Sequence, residues 1–164
     1  MPDEPLVHTV LKQRLPTALK EKDDPTEVSN CAYCEQQMYL RPVTMSSPLL
    51  FALRKIAEIN HNAMRPAVAE DMAKCGRTVY CNYTQLKYWE LITQSGKGWI
   101  VSELGETFLS GTLAVEAQLW VYSDEVRERE DAPAFYVTTH EIKDYVPATT
   151  REKVREEMVG LTNA

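Results

Sequence analysis

Four cysteines carry the most chemically suggestive spacing in the chain. Cys31 and Cys34 are separated by two residues, and a turn of that length aims two thiolates at one tetrahedral Zn²⁺. Cys75 and Cys81 are the candidates for the two remaining ligands, and His61, between the pairs, could replace one thiol. The five residues between Cys75 and Cys81 exceed the usual knuckle spacing, and both are equally readable as buried apolar thiols. Redox work at the CxxC would call for a βαβ setting that the flanking sequence lacks. The expected cofactor is therefore Zn²⁺ at Cys31 and Cys34, with the rest of its ligand set open.

The other reactive side chains form no catalytic frame. His8, His61 and His140 are scattered, outside any HxxxH or HExxH spacing, and GxSxG, Walker A and dinucleotide fingerprints do not occur. The expectation is a protein that is not an enzyme. Carboxylates concentrate late in the chain: Asp124, Glu125, Glu128, Glu130 and Asp131 crowd one hydrophilic loop, with Glu103 and Glu106 upstream. Such a run is either a solvated surface or an acidic patch that meets a protein partner.

Charge is unevenly distributed over the 164 residues, whose formal net charge is −6. Residues 1–46 carry five Lys/Arg against seven Asp/Glu, residues 47–100 seven against four, and residues 101–164 six against thirteen. A basic middle thus lies between acidic flanks, so a polyanionic partner would meet the middle. The overall balance excludes a strongly basic nucleic-acid coat. No apolar run reaches membrane-spanning length, and the first residues, Met1-Pro-Asp-Glu-Pro5, lack the basic start and apolar stretch of a secretory leader. The expected compartment is the cytoplasm, where thiols stay reduced.

The elements that must position these groups can be read from caps and periodicity. Residues 1–30 form a Pro- and charge-rich arm in which Leu6, Val10 and Leu11 are spaced for a short amphipathic helix, limited by Pro16. Ser47-Pro48 opens a helix to about residue 62, with Leu49, Ala52, Leu53, Ile56 and Ala57 on one face. A second helix is expected over 67–74, with Gly76 in a left-handed stop, and a third over 83–93. In the third, Leu86, Trp89 and Ile92 turn inward, and Tyr83, Gln85, Lys87 and Tyr88 turn outward or sideways. Residues 95–98 make a turn, 99–101 a strand, and 102–111 a short helix capped by Ser102 and stopped by glycine. Alternating segments 118–122 and 135–139 read as a strand pair across the charged turn 123–131, with Trp99 and Trp120 buried against helices. A last helix runs from about 149 to 159, stopped by Gly160.

Three short helices followed by a β-hairpin is the element order of a winged helix-turn-helix. The strings Tyr83-Thr-Gln-Leu-Lys-Tyr-Trp-Glu-Leu-Ile92 and Gly98-Trp-Ile-Val-Ser-Glu-Leu-Gly-Glu-Thr-Phe-Leu-Ser-Gly111 resemble the helix and the strand-and-turn of a winged-helix family. The chain is similar to phage and prophage proteins that join such a domain to an N-terminal CxxC knuckle, here Cys31-Ala-Tyr-Cys34, and to a strand pair, here Leu119-Trp-Val-Tyr-Ser-Asp-Glu-Val126. The resemblance covers residues 31–126. It departs at Glu90, where glycine is usual, and in an acidic rather than basic wing loop.

The resulting expectation is an α+β protein: an arm over 1–30, a CxxC knuckle over 31–46, a winged-helix domain with a strand pair over 47–140, and a helical extension over 141–164. Its function would be transcriptional regulation by binding double-stranded DNA, in a host bacterial cytoplasm if phage-encoded. The side chains expected to touch DNA are Thr84, Gln85, Lys87 and Tyr88 on the third helix, Lys74 and Arg77 in the turn before it, and Lys97 in the wing. Four cations make a weak, salt-sensitive footprint, so workable affinity would need a homodimer on two half-sites. The alternative is an acidic module that inhibits a host defence or nucleic-acid-processing protein through the 123–131 carboxylates.

Overall fold

The computed structural model describes residues 4–20, 24–30, 32–35, 37–129 and 134–147, and the fold is mixed α+β. Among the described residues no helix is long and apolar enough to cross a membrane. The expected last helix over 149–159 lies outside the described residues.

Helix α2 (Ser47–Asn62) runs through the centre of the core. Leu49, Leu50, Ala52, Leu53, Ile56 and Ala57 are buried, and Arg54 and Glu58 face solvent, the division that helical periodicity demands. Ser47, expected as the cap, is instead the first helical residue. Ser46 holds the cap position in an extended conformation, without a side-chain cap bond. Pro48 fits because the first turn needs no donor from it.

The chain then passes through Ala67, which exchanges two backbone hydrogen bonds with Trp99 (2.8 and 2.9 Å) in an antiparallel bridge. That bridge takes Ala67 out of the expected second helix, and α3 is only Ala69–Ala73. Gly76, at φ +102, ends α3's turn and opens α4 (Arg77–Asn82), a backbone geometry suited to glycine. A 3-10 segment follows, Tyr83–Trp89. The expected single helix over 83–93 is therefore corrected at both ends. It starts at Arg77, and it stops where Glu90 adopts φ 62 and the Leu91 amide donates back to the Leu86 carbonyl, a left-handed helix stop.

Strands β5 (Ile92–Ser95) and β6 (Gly98–Val101) form a hairpin turned by Gly96 and Lys97. Asn60 stitches the hairpin to the end of α2. Its Nδ2 donates to the Arg65 and Trp99 carbonyls, and its Oδ1 accepts from the Val101 amide at 2.9 Å. Helix α5 (Glu103–Leu109) follows, capped as expected by Ser102 Oγ, which accepts from the Gly105 amide at 3.0 Å.

Strands β7 (Leu113–Glu116) and β8 (Gln118–Tyr122), separated only by Ala117, serve two sheets. In one, β7 lies between β1 (Leu6–His8), parallel to it, and β10 (Tyr136–Val137), antiparallel. In the other, β8 lies between β4 (Arg41–Thr44) and β9 (Glu125–Arg127), both antiparallel. All four residues of β7 are buried, so their backbone groups need partners on both edges. This demand recruits the arm: Leu6–His8 is a strand where an amphipathic helix was expected. The 118–122 segment pairs with β9 across Ser123 and Asp124, while 135–139 contributes only β10, paired to β7. Trp120, expected to be buried, is half-buried on β8 with the Arg129 guanidinium 3.9 Å above its ring. Three small elements complete the described chain: α1 (Thr17–Lys20), a hairpin of β2 (Ser29–Asn30) and β3 (Gln37–Met38), and a 3-10 turn at Thr139–Glu141.

Candidate nucleic-acid interface

Helix α4 and the 3-10 segment lie against α2, and Val79, Tyr83, Leu86, Tyr88 and Trp89 are buried. What remains outward on α4 is Arg77, Thr78, Tyr80 and Cys81, with Asn82, Thr84 and Gln85 half-exposed after them. Gln85 Nε2 lies 3.4 Å from Asn82 Oδ1, an outward pair of amides. Lys74, after α3, and Lys97, in the hairpin turn, are exposed. Neither they nor Arg77 form an ion pair with any described residue.

The far end of this surface differs from expectation. Tyr88 is buried, so it is not an outward-facing side chain: burial pushes its hydroxyl up to about 12, helped by a hydrogen bond it donates to Asp124. Tyr83 is buried as well. Lys87 is half-buried and paired to Asp124 Oδ2 at 2.9 Å. For Lys87 and Tyr88 the physical reason is the β8–β9 hairpin, whose turn brings the Asp124 carboxylate to the polar atoms they project. Sequence reasoning missed Thr78, Tyr80 and Cys81 as an outward face because it began the third helix at residue 83. Gly76 read as an opening rather than an ending would have exposed that face.

The carboxylates of the alternative reading are partly engaged. Asp124 is held by Lys87 and Tyr88, whose hydrogen bonds keep its carboxyl below the usual range. Glu125 pairs with Arg127 at 2.8 Å. Glu128 is exposed, and its amide donates to the Gln13 carbonyl. Glu130 and Asp131 lie outside the described residues. Glu106 binds His61 Nε2 at 2.8 Å, while Glu103 is exposed.

Among the cysteines, Cys31 lies outside the described residues, and Cys34 is exposed in the turn between β2 and β3. Cys75 is buried, with its Sγ 3.6 Å from the Asp71 carbonyl. Desolvation pushes that thiol up, the direction opposite to the thiolate a metal needs. Cys81 is exposed on α4. Among the described residues no group of three or more His, Cys, Asp or Glu is arranged to hold a metal ion. A cleft of about 420 Å³ runs along β8, lined by Lys12, Glu116, Trp120, Arg127 and Phe135. Of its two acids, Glu116 is already bound by Lys12 and by the Val10 amide, and Glu128 is exposed.

No family model, curated protein or solved structure matches the chain.

Proposed function

We propose that this is a winged-helix protein that binds double-stranded DNA as a transcriptional regulator, without enzymatic activity. The observation that carries the reading is the Ala67–Trp99 bridge. It sets the 66–68 segment beside the β5–β6 hairpin in the order helix, single-residue bridge, helix, helix, hairpin. In that arrangement the third helix is the groove-reading element and the hairpin the wing.

Support also comes from three cations that form no ion pair with any described residue. Lys74 and Arg77 sit at the entrance to α4 and Lys97 in the wing turn, where phosphates flank a groove-bound helix. Thr78, Tyr80, Thr84 and Gln85 are the base-edge candidates, replacing Tyr88. Three phosphate contacts correspond to a log affinity–log salt slope of about −3 for one chain, so tight binding to an operator calls for two copies on two half-sites.

Fluorescence anisotropy with a mixed-sequence duplex at several salt concentrations tests the reading. The wild type should bind with that slope, and Arg77→Ala should make the slope shallower by about 1. No duplex binding at low salt would instead favour the acidic protein-interaction reading, and capture of a host protein lost on reversing Glu128 would then support it.

A further inference from the structure

Lys87 and Tyr88, from the 3-10 segment, converge on one carboxylate, and Arg41, from β4, reaches the Tyr88 hydroxyl beside it. Asp124 Oδ2 accepts from Lys87 Nζ at 2.9 Å, and Oδ1 accepts from the Tyr88 hydroxyl. Arg41 Nη2 lies 3.3 Å from that hydroxyl and donates to it. One cation and a hydroxyl on the two oxygens, with a second cation on that hydroxyl, is a donor set suited to a phosphodiester.

Asp124 is held there by these bonds rather than by packing. Its side chain is 66% exposed, and it sits at the tip of a tight hairpin in which Ser123 and Asp124 have φ of 50 and 62. An exposed ion pair of this kind is weak, so an incoming anion can displace it. Lys87 pairs with Asp124, whereas Lys74, Arg77 and Lys97 form no ion pair with any described residue.

We propose that Arg41, Lys87 and Tyr88 form a binding site for a DNA backbone phosphate, and that Asp124 fills it in the free protein as an internal phosphate mimic. The inference rests on the DNA-binding reading and adds a regulated contact to it. The free protein presents Lys74, Arg77 and Lys97 to DNA. Lys87, with Arg41 beside it, becomes available only when the β8–β9 turn gives way, so Asp124 weakens indiscriminate binding and rewards a duplex whose backbone reaches the site.

The test is anisotropy titration of a mixed-sequence duplex with the wild type, Asp124→Asn, Lys87→Gln, the double variant and Arg77→Ala, each checked by thermal melting. Asparagine tolerates the left-handed backbone and removes only the charge. Asp124→Asn should bind about three- to tenfold more tightly than wild type, with a slope steeper by about 0.9. In the Lys87→Gln background, Asp124→Asn should leave the slope unchanged. If Asp124→Asn has the wild-type affinity and slope while Arg77→Ala still weakens binding, the inference falls and the DNA reading stands. If neither wild type nor Asp124→Asn binds duplex at low salt, both fall. Should Asp124→Asn melt as an unfolded chain, Asp124→Ser takes its place with the same expected outcomes.

Discussion

Asp71 shows how one carboxylate can fix the start of a helix and the bridging segment before it. Its two oxygens accept from both terminal nitrogens of Arg65, at 2.7 and 2.9 Å, and one also accepts from the Val68 amide at 2.9 Å. These bonds hold its carboxyl down at about 2, the Arg65 pair being the larger cause. Because the folded value lies below the unfolded one, the stabilisation is fully present above about pH 4 and is lost as pH falls toward 2. Arg65 is half-exposed, so solvent screens the pair, and Asp71→Asn should cost on the order of 1–2 kcal/mol at pH 7. Urea denaturation of both proteins at several pH values checks this: the gap should shrink between pH 4 and pH 2. A gap that stays constant with pH would show that the charge is not what stabilises. At the same scale, the Ser102 cap was legible because a cap involves only its own next three residues. Tyr88 was not, because the partner of its hydroxyl arrives from Asp124, 36 positions away.

The hairpin β5–β6 is held to the helical body at very short range. A Cβ on Gly98 would lie 2.7 Å from Pro66 Cβ and 2.8 Å from the Ala67 carbonyl oxygen, both in the segment that bridges to Trp99. Gly98→Ala should therefore push the hairpin off that segment, at a cost of about 1–3 kcal/mol. The checks are a lower melting temperature and, under the DNA-binding reading, weaker duplex binding, since Lys97 moves with the turn. A melting temperature equal to wild type would mean the bridge is slack. Helix α2 was readable almost to the residue because its apolar spacing persists over four turns. The third helix was not, since its stop is a glutamate rather than a glycine: Glu90 hides a left-handed residue, and His8 Nε2 bonds its carboxylate at 2.9 Å.

Across the whole molecule, the helices and the sheets share one core. Trp89 is fully buried, and its Nε1 donates to the Glu116 carbonyl at 2.7 Å. The Glu116 side chain in turn holds the arm through Lys12 and the Val10 amide. A chain joined in this way should unfold as one unit, so tryptophan fluorescence and far-ultraviolet circular dichroism should give coincident denaturation curves. Two separated transitions would show that the helical body and the sheets fold independently.

The sequence by itself determined what depends on neighbours: the α+β character, α2 and its buried face, the Ser102 cap on α5, the turn at Gly96 and Lys97, and the strand at 118–122. Caps, turns and periodicity act over a few residues, so their signals are present in the string. Only the tertiary structure decided the pairings. It set the arm beside β7, moved the partner of β8 from 135–139 to β9, and laid Asp124 on Lys87. Each of those choices satisfies buried backbone groups or charges with partners far along the chain, and no local pattern encodes which distant segment arrives.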